Sequence, residues 1–199
     1  MKALAISLFL FSGFAQAMTV DFEDVALTVP GLSGDLWPSF SSGGADFSFS
    51  GISAFLGRDL TTAFNGTTFL AVSSASWSVP GPVSMSMSDS SLFGLTSLEV
   101  AELGATPTII ITGYKLGGDT VTSVVTLDGI SDGAGVLPDF EVISFDNSWI
   151  NLERVEISGV GRTAWAMDNI SVVAIPIPAS IWFLCSALAL LGLRKKVAP

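Results

Sequence analysis

The chain has 199 residues, of which 18 are acidic, 8 are basic and only 13% are charged in all. It contains no histidine and a single cysteine, which excludes a Ser-His nucleophile pair, an intrachain disulfide, an iron–sulfur cluster and a thiolate zinc site. Soluble domains usually have a charged fraction of about 25%, so we expect part of this chain to lie outside an aqueous environment.

The N-terminus is the first such part. Lys2 is followed by the apolar residues 3–11 and then by the small residues Ala15 and Ala17 on either side of a glutamine. A positive charge, a short apolar stretch and an A-x-A site are the three parts of a secretory signal peptide. We therefore expect residues 1–17 to form a signal helix that signal peptidase removes. A buried N-terminal helix is the weaker alternative, because the run has no polar face.

The body of the chain, residues 18–173, consists of short runs that alternate between apolar and polar residues or are rich in β-branched residues. Such runs predict strands, and the Gly, Asn and Asp clusters between them predict turns, as at Asn65, Gly66 and Thr67. About ten short strands without a helical pattern indicate an antiparallel β-sandwich. The predicted strands are residues 20–22, 46–50, 68–72, 83–87, 97–100, 108–114, 121–127, 140–145, 152–157 and 167–173.

The order of these strands resembles a known family of sandwiches. Residues 145–157 and 167–172 are similar to the last two strands of galactose-binding-like jelly rolls, and residues 91–119 are similar to their middle strands. The resemblance implies a jelly roll in which the first and last strands lie side by side. It also implies a structural Ca²⁺ that is held by one acidic residue near the first strand and another on the last, which by position are Glu23 and Asp168.

Two acidic stretches would meet at one edge of such a sandwich. Asp21, Glu23 and Asp24 are predicted to lie on the first strand, and Asp168 and Asn169 on the last. Carboxylates held close together repel one another, and a cation that takes six to eight oxygen ligands removes this repulsion. The alternative is that they are ordinary solvated acids at strand ends. It stays open because neither stretch has an EF-hand or nonapeptide calcium spacing.

The charge and the tryptophans of the body bear on its partners. All 18 acidic residues but only half of the basic ones lie in the body, which excludes nucleic acid as a partner and suits divalent cations or neutral, hydroxyl-rich molecules. Trp37 lies in a Gly/Ser-rich loop and is the best candidate to stack on a sugar ring. Trp149 and Trp165 fall in strand patterns, so we expect them in the core.

The C-terminus is the second apolar part. Residues 174–193 carry no charge and are followed at once by a basic cluster. Twenty helical residues rise about 30 Å, which is enough to span a bilayer. Pro176 and Pro178 confine the expected transmembrane helix to residues 180–193, and the basic cluster places the last residues on the cytoplasmic side. A buried C-terminal helix, the alternative, does not explain that cluster, which is Arg194, Lys195 and Lys196.

This C-terminus resembles the PEP-CTERM class of sorting signals. In that family an exosortase, a membrane cysteine protease of Gram-negative bacteria, recognises a Pro-x-Pro motif, an apolar helix and a basic cluster in this order. The motif here has isoleucine where glutamate is usual, and is closer to the Val-Pro-Leu-Pro-Ala variant. The resemblance implies export, temporary anchoring in the inner membrane, cleavage near the motif, and then attachment or release at the cell surface. The motif residues are Ile175, Pro176, Ile177, Pro178 and Ala179.

Nothing in the sequence points to catalysis. It has no nucleophile elbow, no metal-binding His pair and no phosphate-binding glycine loop, and nothing selects the two carboxylates that a glycosidase would need. We therefore expect an exported, non-enzymatic protein of the cell surface or the extracellular matrix. Two alternatives stay open: a carbohydrate-binding module with a structural calcium, and a structural or adhesive protein of the biofilm matrix without a small ligand.

Overall fold

A computed structural model describes residues 16–27, 38–50, 53–58, 63, 65–73, 82–103, 108–129, 140–160 and 164–175. Within these residues the chain forms twelve strands and no helix. The strands are β1 (Ala17–Val20), β2 (Ser39–Ser42), β3 (Ala45–Phe49), β4 (Ser53–Gly57), β5 (Phe69–Ser73), β6 (Val83–Met87), β7 (Phe93–Glu102), β8 (Thr108–Lys115), β9 (Thr120–Thr126), β10 (Glu141–Ser144), β11 (Leu152–Gly159) and β12 (Trp165–Ala174).

Every pairing between these strands is antiparallel, which confirms the all-β antiparallel prediction. The part of the chain that the structure describes holds no helix that is long and apolar enough to span a membrane. Most of the expected signal helix, residues 1–15, and the expected transmembrane helix, residues 180–193, lie outside the described residues.

The strands form two layers. The first sheet has the order β2-β3-β6-β11-β8-β9. The second sheet begins with the order β10-β7-β12. On the other side of β12, β1 pairs with one end of this strand and β5 with the other, and β4 pairs with β5. A single pair, Leu152 opposite Phe93, links the two sheets. The predicted neighbourhood of the first and last strands is confirmed, since β1 pairs with β12 from Ala17 opposite Val173 to Val20 opposite Ile170.

The core lies between the inner faces of the two sheets. Every second residue of β3 and β6, and of β11 from Val155 onward, is buried, as the apolar–polar alternation predicts. Phe47 and Met85 of the first sheet join Leu98 and Met167 of the second in one apolar cluster. Burial of each such side chain contributes about 1.5–3 kcal/mol, so this cluster is the main source of the fold's stability.

Two tryptophans lie in this core, as the sequence predicts. Trp149 is 4% exposed and Trp165 is 1% exposed. Trp149 fits beneath β8 because residue 113 is glycine: a Cβ there would lie 3.2 Å from Trp149 Cε3 and 2.9 Å from Leu152 Cδ2. A larger residue at position 113 would therefore push the tryptophan out of its place.

The structure corrects the prediction for the first strand. This strand was predicted at residues 20–22, but it ends at Val20, and the acidic residues Asp21, Glu23 and Asp24 lie in the turn that follows. The reason is Phe22, whose positive φ of 58° turns the chain so that its ring is fully buried. Its ring centroid lies 5.4 Å from that of Phe47. The aromatic contact thus ends the strand earlier than the alternation indicates.

Candidate functional site

The two carboxylates predicted to bind calcium come together at one turn, residues 65–68. Gly66 has a positive φ of 84°, and the backbone N–H of Thr67 donates to Asn65 Oδ1 at 3.1 Å. This is the turn that the Asn-Gly-Thr sequence predicts. One side of the turn contacts Asp168 on β12, and its last residue contacts Glu23 in the turn after β1.

Asp168 is completely buried. Its Oδ2 accepts hydrogen bonds from Asn65 Nδ2 and Thr67 Oγ1, both at 2.7 Å, and its Oδ1 accepts one from the backbone N–H of Asn169 at 2.8 Å. Burial raises the pKa of Asp168 to about 6, although these hydrogen bonds oppose the rise. The negative charge of Glu99, which lies opposite Asp168 on β7, raises this pKa further.

Glu23 has different surroundings. Its Oε1 accepts a hydrogen bond from the backbone N–H of Thr68 at 2.6 Å, and its Oε2 forms an ion pair with Arg58. The Thr68 hydrogen bond and the Arg58 guanidinium hold the pKa of Glu23 below its ordinary value. Arg58 also donates to Thr68 Oγ1 at 3.0 Å, so it fixes the end of the same turn.

These surroundings do not fit a calcium ion shared by Glu23 and Asp168. Calcium needs several free oxygen ligands, whereas the carboxylate oxygens here accept hydrogen bonds from protein donors and one of them faces a guanidinium. Asp24 lies at a different turn, where Ser42 Oγ and the backbone N–H of Gly43 donate to it. The described residues contain no group of three or more acidic or Cys side chains placed to hold a metal. Calcium binding stays a prediction that an experiment must decide.

A second site is the outer face of the first sheet, which carries two rows of polar side chains that run across all six strands. We call these twelve residues the polar band, and none of them is buried. Because neighbouring strands lie about 4.8 Å apart, the band is about 24 Å long. The first row is Ser41, Asp46, Ser86, Arg154, Tyr114 and Thr120, and the second is Ser39, Ser48, Ser84, Glu156, Thr112 and Thr122.

One end of the polar band is an open depression of about 500 Å³ that is lined by β2, β3 and β6. Asp46 is its charged group, and its Oδ1 accepts hydrogen bonds from Ser88 Oγ at 2.6 Å and Ser41 Oγ at 2.7 Å. These two hydroxyls hold the pKa of Asp46 below its ordinary value, so its carboxylate is ionised at neutral pH. The lining residues are Ser39, Phe40, Ser41, Asp46, Phe47, Ser48 and Ser86.

The other half of the polar band is built around Tyr114. The guanidinium carbon of Arg154 lies 3.6 Å from the centre of the Tyr114 ring, a cation–π contact. The Tyr114 hydroxyl donates to Glu156 Oε2 at 2.6 Å, which raises the pKa of Tyr114, and Arg154 forms an ion pair with Glu156. The two opposite charges of this group cancel, and its side chains hold one another in place.

The structure leaves several predicted site residues undescribed. Trp37, the basic cluster at residues 194–196 and the motif residues 176–179 lie outside the described residues. Ile175 is described, and its backbone N–H donates to the Leu92 carbonyl at 3.1 Å just after β12. Sequence reasoning missed the polar band, although Ser84 and Ser86 alternate with apolar residues in the sequence. That alternation shows which side chains point outward, but it cannot tell which strands are neighbours.

No family model and no curated protein matches the sequence. Among solved structures, the chain is similar to a DUF4465 family protein from Bacteroides caccae, with 18% identity, a TM-score of 0.54 and coverage of 80% of this chain and 100% of that chain. It is also similar to an exo-β-agarase, with 13% identity, a TM-score of 0.45 and coverage of 81% and 26%.

A third similar structure is a family 11 carbohydrate-binding module from Clostridium thermocellum in complex with a β-1,3-1,4-mixed-linked tetrasaccharide. It is 14% identical to this chain, with a TM-score of 0.40 and coverage of 81% of this chain and 96% of the module. At these identities only the fold can be compared. The likeness to the DUF4465 family protein supports the sandwich described above.

Proposed function

We propose that this protein is an exported, non-enzymatic polysaccharide-binding protein that holds a neutral glycan along the polar band. The observation that carries the proposal is the band itself. It offers hydroxyl groups on five of the six strands of the first sheet, a carboxylate at Asp46 that has no cationic partner among the described residues, and one aromatic ring at Tyr114.

The chemistry of the band matches that of a sugar. Serine, threonine and sugar hydroxyls each donate and accept hydrogen bonds, so they can pair in many ways. The carboxylate of Asp46 is a stronger acceptor for the hydroxyls of a neutral sugar. It repels anionic polymers, as does the acidic body as a whole.

The geometry of the band favours a polymer over a small sugar. Each exposed hydrogen bond adds only about 0.5–1.5 kcal/mol, so a ligand gains useful affinity only by making several at once. The strand spacing repeats polar groups at an interval close to the length of one sugar unit. A glycan chain lying across the strands would meet a new pair of polar side chains at each step.

Binding is tested by retention of the full chain on insoluble neutral polysaccharides, with an anionic polysaccharide in parallel. We expect retention on at least one neutral polymer, weakened about tenfold or more in Asp46→Asn because a hydrogen bond to a charged group is lost. Asp89→Asn is the matched control, since Asp89 is also exposed but accepts its hydrogen bonds from Ser91, in a turn outside the polar band. The proposal would be contradicted if no neutral polysaccharide retained the protein, or if Asp46→Asn and Asp89→Asn weakened retention equally.

Export and sorting are the second part of the proposal. The signal sequence at residues 1–17 and the C-terminal motif support passage through the inner membrane, recognition by an exosortase-type protease, and a final position at the cell surface or in the extracellular matrix of a Gram-negative bacterium. Deletion of residues 176–199 leaves β12 and the Ile175 contact intact. We expect it to change the fraction in which the protein is found, and unchanged fractionation would contradict this part.

A further inference from the structure

Strand β9 forms one edge of the first sheet. It pairs with β8 over its whole length without a register shift, and among the described residues no strand pairs with its other side. Natural proteins protect such edges with lysine, proline, a bulge or a very short strand. The sequence of β9, Thr-Val-Thr-Ser-Val-Val-Thr, has none of these devices.

The sequence of β9 is close to self-complementary. When two copies are aligned antiparallel about Ser123, each exposed residue of one copy faces an exposed residue of the other. The partly buried valines, which pack against the core, likewise face each other. Pairs of β-branched residues are favourable across strands. Thr120 then lies opposite Thr126, Val121 opposite Val125, and Thr122 opposite Val124 of the second copy.

Charge also favours this edge over the rest of the surface. The body of the chain is strongly acidic, so most of its surface repels a second copy. Strand β9 carries no charged residue, and the nearest acids, Asp119 and Asp128, lie beyond its two ends. The other described outer strands, β1, β2, β4 and β10, have only four or five residues each.

We propose that β9 is a self-association edge through which two copies of this chain pair antiparallel about Ser123. The result is a symmetric dimer of the isologous kind, which closes and does not grow into a fibre. Its two first sheets form one continuous twelve-stranded sheet, with the two polar bands end to end on the same face. The pairing itself needs no glycan, so its test is independent of the proposed function.

Two double variants at exposed positions of β9 test the pairing. Thr122 and Val124 both point to solvent on the outer face, and each faces the other across the proposed interface. Thr122→Lys with Val124→Lys sets like charges opposite each other, whereas Thr122→Lys with Val124→Asp sets opposite charges there. The two variants change the same positions and differ only in the residue at 124. The Lys/Lys variant has the smaller net negative charge, so weaker association of that variant must come from the like charges at the interface.

The measurement is sedimentation equilibrium of the full chain without glycan, in a mild non-ionic detergent that covers the apolar C-terminal residues. We expect the unsubstituted chain and the Lys/Asp variant to form dimers, and the Lys/Lys variant to dimerise at least tenfold more weakly. A monomeric unsubstituted chain would overturn the proposal. So would equal association of the two variants, which would place the contact elsewhere.

Oxidative crosslinking tests the register independently. In a Cys185→Ser background, Ser123→Cys places two thiols directly opposite each other, where antiparallel Cα atoms lie about 4.5–5.5 Å apart and a disulfide can form. Thr126→Cys is the matched control, because its own copy lies six residues away in the proposed register. We expect a crosslinked dimer from Ser123→Cys only, and equal crosslinking of both variants would rule out pairing about Ser123.

Discussion

The outer faces of the two sheets follow the same alternation of side chains but differ in their exposure to solvent. On the first sheet most outward residues are hydroxyl-bearing or charged, and none in the polar band is buried; Asp46 is an exposed example. On the part of the second sheet formed by β5, β7 and β12, some of them are small or aromatic and covered: Phe69, Ala101 and Ala166 are fully buried in a separate cluster, and the Phe69 ring lies 5.3 Å from that of Phe140. An outward position in a strand is therefore exposed only where no other segment covers it.

Two aspartates show what this difference means for function. Asp46 and Asp168 both accept hydrogen bonds from two side chains. The exposed Asp46 has a lowered pKa and remains available to a ligand, whereas burial raises the pKa of Asp168 and its hydrogen bonds hold the turn at residues 65–68 to β12. In the proposed function the first carboxylate binds the glycan, whereas the second stabilises the fold.

The contrast is tested most strongly by the aromatic side chains of the two outer faces. Phe69→Ala empties a fully buried site on the second sheet, and we expect it to lower the free energy of unfolding by about 3–5 kcal/mol. Tyr114→Ala removes a partly exposed ring from the first sheet and should cost well under half as much. Urea denaturation measures both, and similar losses would mean that the two faces are equally packed.

The same reasoning applies to the two aspartates. Asp168→Ala leaves the partly buried donors of Asn65 and Thr67 without their acceptor, so we expect the free energy of unfolding to fall by about 1–3 kcal/mol. Asp46→Ala acts at an exposed site and should change stability by no more than about 0.5 kcal/mol while it weakens glycan retention. If Asp168→Ala were as harmless as Asp46→Ala, the network around Asp168 would not stabilise the fold.

The sequence predicted most of the fold and only part of the site. Strands rich in β-branched residues, such as β8 and β9, lie within one residue of their predicted bounds. Strand β2 was missed because three of its four residues are serine, and β4 because its short apolar stretch lies between glycines. The approach of Glu23 to Asp168 was anticipated, but their shared contact with residues 65–68 depends on tertiary packing that no local pattern encodes.

The raised pKa of Asp168 predicts a pH dependence. The folded protein binds the proton of this carboxyl more tightly than the unfolded chain does, with a pKa of about 6 against an ordinary value of 3.8. The stabilisation that this group contributes is therefore complete below about pH 4 and is lost as the pH rises through about 6, by roughly 3 kcal/mol in all.

The carboxylates with lowered pKa values, such as Glu23 and Asp24, act in the opposite direction, and their stabilisation is lost only as the pH falls below about 4. We thus expect a stability maximum between about pH 4 and pH 5 in urea denaturation curves. The decline above this maximum should be absent in Asp168→Asn and present in Asp46→Asn. A decline of equal size in both variants would assign it to another group.

The smallest expected effect is that of calcium. Both Glu23 and Asp168 are occupied by protein donors, and Arg58 adds a positive charge where an ion would sit. We therefore expect the melting temperature to be the same in millimolar Ca²⁺ and in chelator, because an ion stabilises the fold only if it binds the native state. A rise in Ca²⁺ that is lost in Asp168→Asn and kept in Asp46→Asn would contradict this. It would show that Ca²⁺ displaces the hydrogen bonds of the turn at residues 65–68 and the Arg58 ion pair. The resemblance to galactose-binding-like sandwiches would then include their calcium site.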